Sequence, residues 1–204
     1  KWPQKEAILD EETCVSFETL YRDAIGIAKW LKLEEEAGQR VMIAMPSSVS
    51  STILYFAAMF AGQVAVPIDP SLSPEQLEWM RREIDPRWVF GPSTLKKIWN
   101  DPRFLPIDRY RDLSQWISLS GRSKEITPPE KDPSRLLNIV YTSGTTGQPK
   151  GVMLNGANLE AVIRGILQAL AIDETSRIFP LFHSPIPMDY HSSGSWREQG
   201  PRSL

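Results

Sequence analysis

Cysteine, histidine and long apolar runs are all scarce in this chain of 204 residues. One cysteine, Cys14, cannot support an internal disulfide framework, and it fits a reducing compartment, so the expected location is the cytoplasm. It falls in a strand-like stretch and reads as inert packing rather than as a nucleophile. The longest apolar run, Thr52 to Gly62, is too short to cross a bilayer, and no signal peptide opens the sequence. Basic charge is not in excess: 23 Lys and Arg stand against 25 Asp and Glu, a net charge of −2. That balance offers no electrostatic case for nucleic acid or an anionic membrane. Seven tryptophans without interleaved basic residues read as packing, not as a stacking platform for bases. With 41% hydrophobic and 24% charged residues, the composition is that of a globular protein with a core. The first residue is not Met, so the chain reads as an excerpt of a longer protein.

Strand and helix signals alternate along the first half, which implies an α/β fold with mostly parallel sheets flanked by helices. Strands are expected at 15–17, 41–45, 64–68, 88–90, 137–141 and 177–182. Helices are expected at about 18–33, at 52–61 with Gly62 ending it, and from Pro74 to about Ile84. The last opens on a Ser73/Gln76 capping box. A further helix capped by Asn158 carries an apolar face of Leu159, Val162, Ile163, Ile166, Leu167 and Leu170. Residues 91–133, rich in Pro and charge, read as an irregular surface stretch with short elements.

The chemistry concentrates in Tyr141-Thr142-Ser143-Gly144-Thr145-Thr146-Gly147-Gln148-Pro149-Lys150-Gly151. A strand runs into hydroxyls, glycines and one lysine, a combination suited to a polyanion. Glycines admit phosphate oxygens to backbone N–H groups, hydroxyls donate further bonds, and the lysine brings a mobile positive charge. The spacing is not that of a Walker loop, which has four residues between its glycines and then Lys at once. Here Gly144 and Gly147 enclose two residues and Lys150 follows three later. An ordinary Gly/Thr-rich turn between two strands is the plain alternative.

This string resembles the signature loop of the adenylate-forming superfamily, usually Y-T-S-G-S/T-T-G-x-P-K-G, and matches it from Tyr141 to Gly151 without a gap. Val15 to Leu20 is similar to the family's L-T-Y-x-E-L, and Ala61 to Pro70 to its A-G-x-x-x-V-P stretch. Pro180-Leu181-Phe182-His183 is similar to the P-L-F-H of acyl-CoA synthetases. One departure follows the loop, where Gly156 stands at a frequent family His. The resemblance implies a partial large N-terminal domain of an adenylate-forming enzyme over 1–190. It further implies that carboxylate and ATP give acyl-adenylate and pyrophosphate, with the thiol of CoA or an acyl carrier protein as second acceptor. Thr142, Ser143, Gly144, Thr145, Thr146 and Lys150 would surround the β- and γ-phosphates, with Gly147 and Gly151 permitting the turn. Lys150 and Thr146 are the catalytic candidates, and Mg²⁺ would neutralise the remaining charge. His183 would lie beside the acyl and adenylate sites, against the plainer reading of a packed histidine. No metal-ligating residue is assigned.

The family's later parts are a Y-G-x-T-E stretch, a ribose-binding Asp, a hinge and a lysine-bearing C-terminal domain. They do not occur in these 204 residues, so the chain alone is expected to bind phosphates weakly and not to adenylate. Residues 191–204 shift abruptly to Ser, Gly and Arg. Read two bases later, one choice of synonymous codons gives F-I-R-L-L-A-G-A-G-A-Q-V-L, the family's pattern, so a shifted frame near Tyr190 competes with a divergent terminus. Two other functions stay open: a non-catalytic fragment that keeps the fold, and an adenylation domain loading a carrier protein. A nucleotide-hydrolysing switch is disfavoured by the absence of Walker spacing.

Overall fold

A computed structural model describes residues 2–34, 37–119, 132–142, 149–173, 175–176, 188–190 and 196–198. Its centre is a six-stranded sheet. The strands are β3 (Arg40–Ala44), β4 (Val64–Ile68), β5 (Trp88–Gly91), β6 (Phe104–Pro106), β7 (Leu136–Thr142) and β8 (Lys150–Asn155). Their order across the sheet is β6-β5-β3-β4-β7-β8. All neighbours run parallel except β8, which returns antiparallel to β7. Before this sheet, β1 (Glu6–Leu9) and β2 (Cys14–Ser16) form a small antiparallel pair, and β9 (Met188–Tyr190) pairs with β10 (Trp196–Glu198).

Crossover handedness explains the layers. The chain steps from β3 to its neighbour β4 through α2 (Val49–Phe60), then back past β3 to β5 through α3 (Pro74–Ile84). Steps in opposite directions with right-handed crossovers put the two helices on opposite faces. Strand alternation follows suit. Val41, Ile43, Ala65 and Phe90 pack with α2 and α1 (Phe17–Glu34), while Met42, Val64, Val66 and Val89 pack with Leu77, Met80 and Ile84 of α3. With both faces covered, the strands read as continuous apolar runs, as parallel strands do.

Local chemistry sets the boundaries. Ser48, extended at φ −156°, caps α2 by accepting from Ser51 N, and Asp10 Oδ2 accepts from Val49 N at 2.7 Å. The helix ends at Gly62, whose φ of +82° lies in the left-handed region that favours glycine. α3 opens on the expected Ser73/Gln76 box and closes on Asp85.

Three expectations change. The stretch 91–133 is not simply surface: β6 extends the sheet, and Trp99, Phe104, Leu105, Ile107 and Leu113 are buried. Trp116 of α4 (Leu113–Leu119) packs on Trp30, 5.0 Å between ring centroids, and Trp88 packs on Trp30 at the same distance. The helix after the loop, α5 (Gly156–Ala169), is capped by Asn155 rather than Asn158. Asn155 is extended (φ −89°, ψ 177°) and accepts from Asn158 N, while Asn158 Oδ1 accepts from Asn155 N. The apolar face of α5 exists, but Val162, Ile163, Ile166, Leu167 and Leu170 are 45–67% exposed. Cys14 is also exposed, not packed.

Candidate functional site

β7 carries the candidate site, and three features fix it. It runs parallel to β4, with Ala65 opposite Asn138, so it ends at the carboxyl edge of the parallel strands. In open α/β sheets ligands collect at that edge. Arg135 Nη2 donates to Met59 O at 3.2 Å, in the last turn of α2, where a cation is favoured by the helix dipole. Asn138, 5% exposed in an otherwise apolar strand, donates from Nδ2 to Tyr55 Oη at 2.9 Å. Both bonds tie β7 to α2.

The strand then enters a hairpin in which Thr142 lies opposite Lys150 and Tyr141 opposite Gly151. Facing residues of an antiparallel pair share one face, and successive residues alternate. Thr142 and Lys150 therefore stand side by side, both exposed, with Thr142 Oγ1 3.5 Å from Lys150 O. Among the described residues no acidic group pairs with the Lys150 ammonium. Tyr141 and Ile139 occupy the other face, packed with the α3 cluster. Burial pushes the Tyr141 phenol above its ordinary pKa, and Glu83 adds to this, so the hydroxyl is neutral at physiological pH.

Among the predicted site residues, Thr142 and Lys150 are thus brought together on one exposed face of a strand pair. Ser143, Gly144, Thr145, Thr146, Gly147 and His183 lie outside the described residues. Gly151 differs from expectation: it belongs to β8, not to the turn, and its φ is outside the left-handed region. Asn138 and Arg135 escaped sequence reasoning. The signal for Asn138 was one amide interrupting an apolar strand; Arg135 gave none, because its partner is a backbone carbonyl 76 positions away. Among the described residues no group of three or more His, Cys, Asp or Glu could hold a metal ion, and no helix is long and apolar enough to cross a membrane.

The chain belongs to the AMP-binding enzyme family, whose profile matches residues 1–189. It is 26% identical over 211 aligned positions to the medium-chain fatty-acid–CoA ligase of Escherichia coli K12, covering 94% of this chain and 36% of that protein. It is 32% identical over 168 to tyrocidine synthase 2 of Brevibacillus parabrevis, covering 79% of this chain and 4% of that one. The solved o-succinylbenzoate CoA synthetase of Bacillus subtilis shares the fold at a TM-score of 0.74 and 23% identity, over 89% of this chain and 38% of that one. ATP-bound MatB of Rhodopseudomonas palustris does so at 0.70 and 24%, over 81% and 35%. The chain spans little more than a third of the CoA ligases it matches.

Proposed function

We propose that this chain is the phosphate-clamping part of an ATP-dependent acid–thiol ligase of the acyl-CoA synthetase kind. A carboxylate oxygen attacks the α-phosphorus of ATP, the bond to the bridging oxygen breaks, and pyrophosphate departs with the electron pair. The thiol sulfur of CoA then attacks the carbonyl carbon of the mixed anhydride, and AMP leaves as the thioester forms. The protein's part in such chemistry is positioning and charge stabilisation. Lys150 and the Thr146 hydroxyl meet the β- and γ-phosphates, with Thr142, Ser143, Thr145 and the backbone N–H groups of Gly144 and Gly147 around them. His183 borders the acyl group. Mg²⁺ bound to the nucleotide would supply further charge neutralisation on the triphosphate. An exposed thiol at Cys14 fits work in the reducing cytoplasm.

The observation that carries this reading is the pairing of Thr142 with Lys150 at the carboxyl edge of a parallel sheet. Tryptophan fluorescence of the chain titrated with MgATP tests it. Lys150→Ala removes a charge-assisted bond of about 1.5–3 kcal/mol, so the Kd should rise at least about tenfold. In the natural polypeptide holding these residues, Lys150→Ala and Thr146→Ala should slow carboxylate-dependent exchange of pyrophosphate into ATP. Unchanged exchange in both refutes the assignment. Similarity to tyrocidine synthase 2 favours a second acceptor, a carrier-protein thiol, which the same assay separates by supplying CoA or a phosphopantetheinylated carrier. MgATP binding without exchange on any acid would instead mark a non-catalytic relative.

A further inference from the structure

We propose that Tyr141 and Gly151 are a matched pair of positioning residues whose fit sets the spacing of Thr142 and Lys150; this rests on the phosphate-clamp reading. Gly151 stands in the interior of β8 with an ordinary backbone. Glycine there costs conformational entropy and offers no side chain to pack, so its use calls for a neighbour that needs the space. The neighbours are the ring opposite and, beside it, Ile139. A Cβ at position 151 would lie 3.3 Å from Tyr141 Cζ, 3.5 Å from its Oη and 3.2 Å from Ile139 Cγ2. The contacts to Cζ and Cγ2 are tighter than ordinary van der Waals contact, so a methyl group would displace the ring and Ile139 or part the strands by a few tenths of an ångström. The half-buried ring packs against the α3 cluster, and that contact opposes its lifting.

The consequence falls on the next pair along. Thr142 and Lys150 are adjacent to Tyr141 and Gly151 in both strands and project from the opposite face. Whatever tilts or spreads the inner pair moves the outer one, whose hydroxyl and ammonium must meet oxygens of a single triphosphate. The ring that closes over the bare Cα of Gly151 thus holds the cation and hydroxyl in register on the opposite, ligand side. Tyr141 and Gly151 touch no phosphate themselves.

Four proteins test this: the parent chain, Gly151→Ala, Tyr141→Leu and the double variant, each titrated with MgATP by tryptophan fluorescence and melted without ligand. Gly151→Ala should weaken MgATP about five- to tenfold, no more than loss of the Lys150 bond itself. Its melting midpoint should move by only a few degrees. Removing the ring should rescue it, so that the double variant binds within about threefold of Tyr141→Leu alone. Parental binding by Gly151→Ala, or a double variant weakened by the product of the single effects, overturns the pairing. Should Gly151→Ala fail to fold, the pairing requires that the double variant folds, and an unfolded double variant overturns it. A parent chain that does not respond to MgATP refutes the functional reading instead. Amide hydrogen exchange at Thr142 and Lys150 then decides the pairing, through faster exchange in Gly151→Ala that Tyr141→Leu reverses. Unchanged exchange overturns it.

Discussion

Replacing Tyr110 by Phe should reveal how α1 is fastened to the segment that leads into α4. Asp23 sits in α1 with its side chain 6% exposed, and two groups serve its carboxylate. The Tyr110 hydroxyl donates to Oδ2, and Arg22 Nε donates to Oδ1 at 3.0 Å. Arg22 is 66% exposed, so water screens its share to at most about 1 kcal/mol. The phenol bond is to a buried charge, where loss costs about 1.5–3 kcal/mol. Arg22 remains in the variant and limits the damage, so the expected destabilisation is about 2 kcal/mol, or roughly 4–8 °C for a domain of this size. Burial first, and then the bond to Asp23, push the Tyr110 phenol up to about 12. An unfolded tyrosine titrates near 10, so the folded state favours the neutral phenol. That contribution is complete below about pH 10 and is lost as pH climbs toward 12. Urea unfolding of the parent and Tyr110→Phe at pH 7, 9 and 11.5 measures both effects. The gap between the proteins should hold from pH 7 to 9 and shrink at 11.5. A gap under about 0.5 kcal/mol at pH 7, the scatter of neutral surface changes, or one that stays flat to pH 11.5, would refute the reasoning.

Glu78 is held at about 2, chiefly by the Arg81 hydrogen bond and further by Arg82. A lowered carboxylate contributes above its unfolded pKa near 4.3 and loses this as pH falls toward 2, so Glu78→Gln should cost about 1 kcal/mol at pH 7 and nothing at pH 2, by urea unfolding. At Gly62, φ is +82°, a conformation that charges any L side chain about 1–2 kcal/mol. Gly62→Ala should therefore lower the urea midpoint without changing the slope, and an unchanged midpoint would contradict the assigned backbone.

The sequence was most legible where structure is local. The Ser73 box, Pro74 and the end of α3 at Ile84 stand where the sequence puts them, because a cap and its helix lie within four residues. β4 does too, since a buried run between Gly62 and Asp69 admits little else. The cap of α5 was misread because two asparagines three apart bond reciprocally, and only the extended backbone of Asn155 separates donor from acceptor roles. The segment after β5 was misread for another reason. Its buried residues, Trp99, Phe104, Leu105, Ile107 and Leu113, are anchored by partners distant in sequence, and no element is long enough to show a period. For the candidate site, motif spacing gave the residue types and the resemblance gave their ligand. Neither could show that Lys150 and Gly151 are strand residues facing Thr142 and Tyr141.

That pairing changes how the motif is understood. The proposed phosphate clamp needs rigidity at the ends of its loop, and a strand pair answers that need. Alternation along β7 and β8 divides the labour. Tyr141 and Ile139 pack against the α3 layer and hold the hairpin to the core, while Thr142 and Lys150 face the other way. On that second face, four positions before Thr142, Asn138 ties β7 to Tyr55 of α2, and at the strand's start Arg135 binds the end of the same helix. The lysine is therefore mounted on β8 where it pairs with the end of a strand fixed from both layers. The motif's last glycine is part of that strand pair.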